Sequence, residues 1–238
     1  MKILWGSPLP PTRSGVSDYA VELLPELGVR AKVRVLEPPR GISTDTWTFG
    51  NGVEIVPTDT APDPDEVSLI HLGNNPHHGW LLDRLRRPNT VVVLHDLVLH
   101  HLLVEASEGD DVFLETSLRE AHGEAGVALA RARKYGMTGH RDPFLFPARR
   151  AFLSSATGVI VHSRWAEGVI ADEFPNLPRT RVGLAVADPG KLVRAGERGR
   201  LGMLADEVVL MHLGFLTPEK GLEQILTGIA AAIRAGVP

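Results

Sequence analysis

The chain of 238 residues contains no cysteine. That removes disulfides, zinc–thiolate sites and thiol nucleophiles, and it suits a reducing compartment. No apolar run approaches the roughly 18 residues of a membrane span. The N-terminus, MKILWGSPLPPTRSG, carries one lysine and an apolar stretch too short for a signal-peptide core. It reads as the first strand of a cytoplasmic protein. Charge of one sign is also lacking: a net charge of -4 gives no bulk reason to expect a nucleic-acid partner. Internal repeats, GxGxxG, Walker A and HExxH motifs do not occur. What is present is an ordinary globular composition, 43% apolar and 23% charged, enough for one large core and part of a second.

The most informative stretch is Thr90 to His101, TVVVLHDLVLHH. A short, unbroken, β-branched run predicts a strand covered on both faces, as in a parallel α/β sheet. The carboxyl ends of such strands open into the crevice where ligands bind. His95 and Asp96 therefore stand where chemistry would be done, with a helix expected from Leu97. Asp96 as a helix cap and His95 bonded to a loop carbonyl are the plainer readings.

Further strands are expected at Lys2–Trp5, Lys32–Leu36, Val53–Val56, Val67–Leu72, Gly158–His162 and Arg179–Leu184. After the first strand, a loop holding Ser14 and Gly15 leads into a helix, Val16 to Leu27. This layout can aim backbone N–H groups at an anion, although an ordinary βα turn reads the same. The strand ending at Leu72 runs into Gly73-Asn74-Asn75-Pro76-His77-His78, so two polar loops converge on one side of the sheet. Asp110 to Tyr135 reads as one helix, YGMTGHR with His140 as a loop, and Phe144 to Ser155 as a further helix. Such an excursion either shapes a substrate site or packs on the sheet. Ser163 is a helix N-cap. Residues 188–206 read as an aperiodic linker. Val208 to Leu213 and Glu219 to Ala235 then read as the first strand and helix of a second unit.

Ten histidines raise the question of a metal. His95, Asp96 and His101 could form a hydrolase site, but on a helix from Leu97, His100 and His101 point about 100° apart, so only one can join His95. His122 reads as a surface residue, and His71 and His212 as core or strand-end residues. Lys220, before Gly221 at a strand–helix junction, suits a diphosphate or is simply solvated.

SGVSDYAVELLPEL, VVVLHDLVLHHLL, ATGVIVHSRWAEGVI and LGFLTPEKGLEQIL, in that order and spacing, resemble the retaining nucleotide-sugar glycosyltransferases of the GT-B fold, family 4. The resemblance implies an α/β architecture with a doubly wound, Rossmann-like, mainly parallel sheet over 1–187, on the acceptor side. A linker, 188–206, and the start of a truncated donor-binding unit, 207–238, follow. It implies transfer of a hexose from a nucleoside-diphosphate sugar to an acceptor hydroxyl, with no metal or other cofactor. On the matching positions, Ser14 and Gly15 would line the loop near donor phosphates and acceptor, His95 would reach the transferred sugar, and Lys220 would bind the diphosphate. Asn74, Asn75, Asp96 and His140 would face the acceptor. Phe215 departs from the family's arginine after the loop glycine, and the Glu-rich donor motif does not occur within the 238 residues. The chain alone is therefore expected to show little transfer. A peripheral membrane contact and pairing of two chains through the incomplete unit are both compatible with this reading. A metal-dependent hydrolase and a non-catalytic Rossmann-like binding module are the alternatives.

Overall fold

Apolar side chains alternate along the strands, and the two sets bury on opposite faces of one sheet. The computed structural model describes residues 1–39, 49–184, 190, 194–212, 214, 216 and 220–236. Among them, seven strands form an all-parallel sheet in the order β3-β2-β1-β4-β5-β6-β7. They are β1 (Lys2–Gly6), β2 (Lys32–Leu36), β3 (Val53–Val56), β4 (Glu66–Leu72), β5 (Thr90–Leu94), β6 (Gly158–Val161) and β7 (Arg179–Arg181). Ile3, Trp5, Val33 and Val35 pack with Tyr19, Ala20 and Leu24 of helix α1 (Gly15–Gly28). Leu4, Leu36, Ile70, Leu72, Val92 and Leu94 face the other way. There they meet α2 (His100–Ala106), α3 (Asp111–Lys134), α5 (Arg149–Leu153) and α6 (Arg164–Glu173). Helices on both faces and a reversal of strand order between β1 and β4 define a doubly wound, Rossmann-like fold.

Met1–Ala187 makes one compact unit and Asp188–Pro238 another. In the second, α7 (Arg194–Arg200) occupies part of the stretch expected to be an aperiodic linker, and α8 (Leu222–Arg234) carries the expected helix. Val208 to His212 are not in a strand, contrary to expectation. A strand needs a neighbour for its backbone N–H and C=O groups, and no described residue of the unit supplies one. Leu213, Phe215 and residues 217–219 lie outside the described residues, as do 40–48 between the second and third strands.

Three other expectations change. α2 begins at His100, not Leu97, because Leu99 N–H donates to Pro147 O and Leu97 O accepts from Arg149. The segment expected as one helix from Phe144 is split into α4 (Asp142–Leu145) and α5, with Ala148 between them at φ 60. Most important, α3 is bent into two arms at Gly123 (φ 61, ψ -144). Its ends come together: Lys134 Nζ lies 2.8 Å from Asp111 Oδ2 and Arg131 lies 3.5 Å from Glu115. The arms approach so closely that a Cβ on Gly126 would meet Leu118 O at 2.0 Å. At the sheet margin, β7 stops at Arg181 and its three residues are exposed, an edge blunted by two arginines. No helix among the described residues is long and apolar enough to cross a membrane.

Candidate functional site at the strand-order reversal

In a doubly wound sheet the chain diverges where strand order reverses, here between β1 and β4, and leaves a crevice at their carboxyl ends. Register and the two-residue period decide which side chains gather there. Trp5 pairs with Leu69, so His71, two residues on, shares its face. His71 pairs with Val93, which puts His95 on that face too. Leu94 pairs with Val161, so the next residues, His95 and His162, are neighbours across β5 and β6.

The result is a row of rings under α1. Trp5 and His71 lie 4.0 Å apart between centroids, His71 and His95 5.3 Å, and His95 and His162 4.8 Å. Tyr19, one turn into α1, meets His71, His95 and His162 at 5.9, 5.3 and 5.7 Å. His71 Nδ1 and His95 Nε2 are hydrogen-bonded at 3.0 Å. Trp5 Nε1–H donates to Ser7 Oγ at 2.6 Å. His162 Nδ1–H donates to Val182 O at 2.9 Å, and its buried Nε2 has no partner among the described residues.

Burial keeps His71, His78 and His95 neutral. It pushes His95 down to about 3, with the His162 and His78 charges acting in the same direction. It holds His71 well below the ordinary 6.5, again helped by its histidine neighbours. It lowers His78 to about 4 against the hydrogen bond to His71 O that favours the charged form. At neutral pH these three rings can donate and accept hydrogen bonds but carry no positive charge.

Several expected site residues are occupied with holding the loops. Asn74 N–H donates to Asp96 Oδ2 at 2.8 Å, which ties the loop after β4 to the loop after β5. Asn74 Oδ1 accepts from His101 N–H at 2.8 Å and Leu102 N–H at 3.3 Å. It thereby caps α2, whose own N-cap residue, Leu99, makes no side-chain cap. Asn75 Oδ1 accepts from His77 N–H and caps the 3₁₀ helix Pro76–Arg84. Asp96 is thus bound across the loops rather than capping the helix that follows it. Replacing Asn74 with Ala removes the two hydrogen bonds to its Oδ1 and leaves two N–H groups orphaned, while the backbone bond to Asp96 stays; a loss of about 1–2 kcal/mol is expected. Urea unfolding of Asn74→Ala would measure it, and an unchanged midpoint would refute the capping role.

Ser14 is the N-cap of α1, its Oγ accepting from Val16 N–H at 3.2 Å. Gly15 is the first residue of that helix, and a Cβ there would meet no atom within 4 Å. Gly15 and His95 both stand at the carboxyl edge of the sheet. His140 is exposed in the loop before α4, and His101 is exposed with its ring edge-on to His100 at 5.8 Å. Neither joins the ring row. His95, Asp96 and His101 are not gathered into a ligand set: among the described residues no group of three His, Asp or Glu could hold a metal ion. His122, expected at the surface, is half-buried, its Nε2 accepting from Ala148 N–H at 3.1 Å. Lys220 is exposed in the second unit, two residues before α8.

Tyr19 and His162 were not expected in the crevice, and His71 was expected only as a core or strand-end residue. One signal was available for His162, because VVVLH and GVIVH end on the same residue type. Compared with known proteins, the chain matches no family model, no curated protein and no solved structure.

Proposed function

We propose that the crevice at the strand-order reversal serves glycosyl transfer, taking a hexose from a nucleoside-diphosphate sugar to an acceptor hydroxyl with retained configuration. The observation that carries this reading is the convergence of His95 with Tyr19 of α1 at the carboxyl edge of a doubly wound sheet, in the helix that Ser14 and Gly15 open. A neutral imidazole suits a sugar: it exchanges hydrogen bonds with hydroxyls and carries no charge to be desolvated. It does not suit a departing diphosphate, which needs a fixed cation or helix N-terminus. Under this reading His95 contacts the sugar or orients the acceptor, and Lys220 supplies the cation.

Gly15 gives a sharp test because its own chain does not require a glycine there: its φ is not left-handed and a Cβ would touch nothing. Gly15→Ala should melt at the parent temperature. If the backbone there approaches donor or acceptor, the same change should lower turnover of nucleoside-diphosphate hexoses by about tenfold or more. The experiment measures release of nucleoside diphosphate from a panel of such donors, using the product of the whole reading frame. Gly15→Ala, His95→Ala and Lys220→Ala are compared with the parent. Parent-like turnover in all three would end the assignment.

A further inference from the structure

We infer that the segment from Arg131 to Leu145, at the base of the α3 hairpin, is a docking surface for an anionic lipid bilayer. This inference stands apart from the reaction proposed above.

The sequence concentrates charge here against the trend of the chain. From Arg131 to Arg150 there are six cations, Arg131, Arg133, Lys134, Arg141, Arg149 and Arg150, and one carboxylate, Asp142, whereas the whole chain carries -4. Arg149 and Arg150 are turned to Glu173. Arg131 and Lys134 make only exposed pairs, with Glu115 and Asp111, of the kind worth little in water. Arg133 and Arg141 make no ion pair among the described residues. Asp142 Oδ2 is taken by Gly139 N–H at 2.7 Å.

Among these cations stand four large apolar side chains that the fold does not cover. Tyr135 is 77% exposed, Met137 61%, Phe144 65% and Leu145 66%. They are not a frayed end. Met137 N–H donates to Ala132 O, Asp142 N–H to Gly139 O and Phe146 N–H to Asp142 O, so the backbone is a closed turn. The segment is fixed to the first unit through Pro147 O, which accepts from Leu99 N–H, and Phe146 O, 2.9 Å from His100 Nδ1. A rigid turn that holds apolar side chains out among lysines and arginines is the chemistry of interfacial binding. The apolar groups enter the headgroup boundary and the cations meet anionic lipid. The negative balance of the rest of the chain favours this face toward such a surface. A nucleic-acid partner fits less well, since the protruding groups include Met137 and Leu145, which have no planar face on which a base can stack.

The test mixes the full chain with vesicles of phosphatidylcholine alone and of phosphatidylcholine with phosphatidylglycerol, and measures co-sedimentation. Binding is expected on the anionic vesicles and not on the neutral ones. Arg133→Gln with Arg141→Gln should weaken it about 25-fold, from about fivefold per basic residue. Phe144→Ser with Leu145→Ser should weaken it at least about tenfold. Arg141, Phe144 and Leu145 are exposed and Arg133 is half-buried without an ion pair among the described residues, so both double variants should keep the parent melting temperature. Equal binding to both vesicle types, no binding, or variants that bind like the parent would overturn the proposal. So would self-association without vesicles that the Phe144 and Leu145 changes abolish, which would make the face a contact between two copies of this chain.

Discussion

Lowering the pH from about 7.5 to about 5 is expected to drop the melting temperature of the first unit by about 10 °C or more. His78 is fully buried and its folded value, about 4, lies below the ordinary 6.5. The unfolded chain therefore takes up a proton, as pH falls through 6.5, that the folded chain refuses. Stability is complete above that value and is lost progressively toward the folded one, at about 2 kcal/mol for this residue by pH 5. His71, equally buried and held well below 6.5, adds a loss of the same sign. His95 adds a smaller one, because it is partly open to solvent. The sum approaches the whole stability of an ordinary domain, and each kcal/mol is worth about 2–4 °C at this size. Calorimetry across this pH range tests it. A melting temperature level from pH 7.5 to 5 would mean that the imidazole row is charged or hydrated.

The second large effect lies at the opposite, amino-terminal edge of the sheet. Glu66 opens β4 at 1% exposure, and its carboxylate is gripped by the Arg34 guanidinium, with Nε donating to Oε1 at 2.9 Å and the second fork nitrogen to Oε2. Asp63 N–H also donates to Oε2 at 3.0 Å. Burial by itself would raise this carboxyl, but Arg34 and the Asp63 amide outweigh it and hold it below its usual range. Arg34→Ala leaves a buried carboxylate without its counter-ion, and a loss of about 3–5 kcal/mol is expected. The paired replacement Arg34→Met with Glu66→Leu should recover most of that loss, because both charges go together. Chemical denaturation of the three proteins measures the cycle; if the single and double variants were equally weak, the cost would lie in lost packing. The contribution of Glu66 is present above its unfolded value near 4.5 and disappears as pH falls through the lower folded value. It therefore falls in a more acidic window than that of the histidines.

The parallel sheet could be read from the sequence because each strand is a short apolar run, and a run buried on both faces looks the same wherever it occurs. The carboxyl-edge position of His95 followed from that alone. The rest of the ring row did not, because it depends on which strands are neighbours and in what register. Leu94 beside Val161 is what makes His95 and His162 adjacent, and nothing local to either stretch states it. Asn74 read as a polar residue free to meet an acceptor, yet it caps a helix that begins 26 residues later. The bend of α3 was hidden for a similar reason. Gly123 sits in an otherwise continuous helical pattern, and a glycine there costs only about 1 kcal/mol against alanine, so the pattern did not show the break. The second unit's expected strand failed because apolar, β-branched residues need a partner strand to become one.

The close crossing of the two α3 arms makes Gly126 a fulcrum. Any side chain at that position collides with main chain rather than with a yielding group, so the arms must splay. The strap they deliver, from Tyr135 to Pro147, is pinned at its far end to Leu99 and His100, four and five positions past His95. A single methyl group at Gly126 is then expected to disturb Leu99 and His100, more than twenty positions away along the chain, through the strap alone.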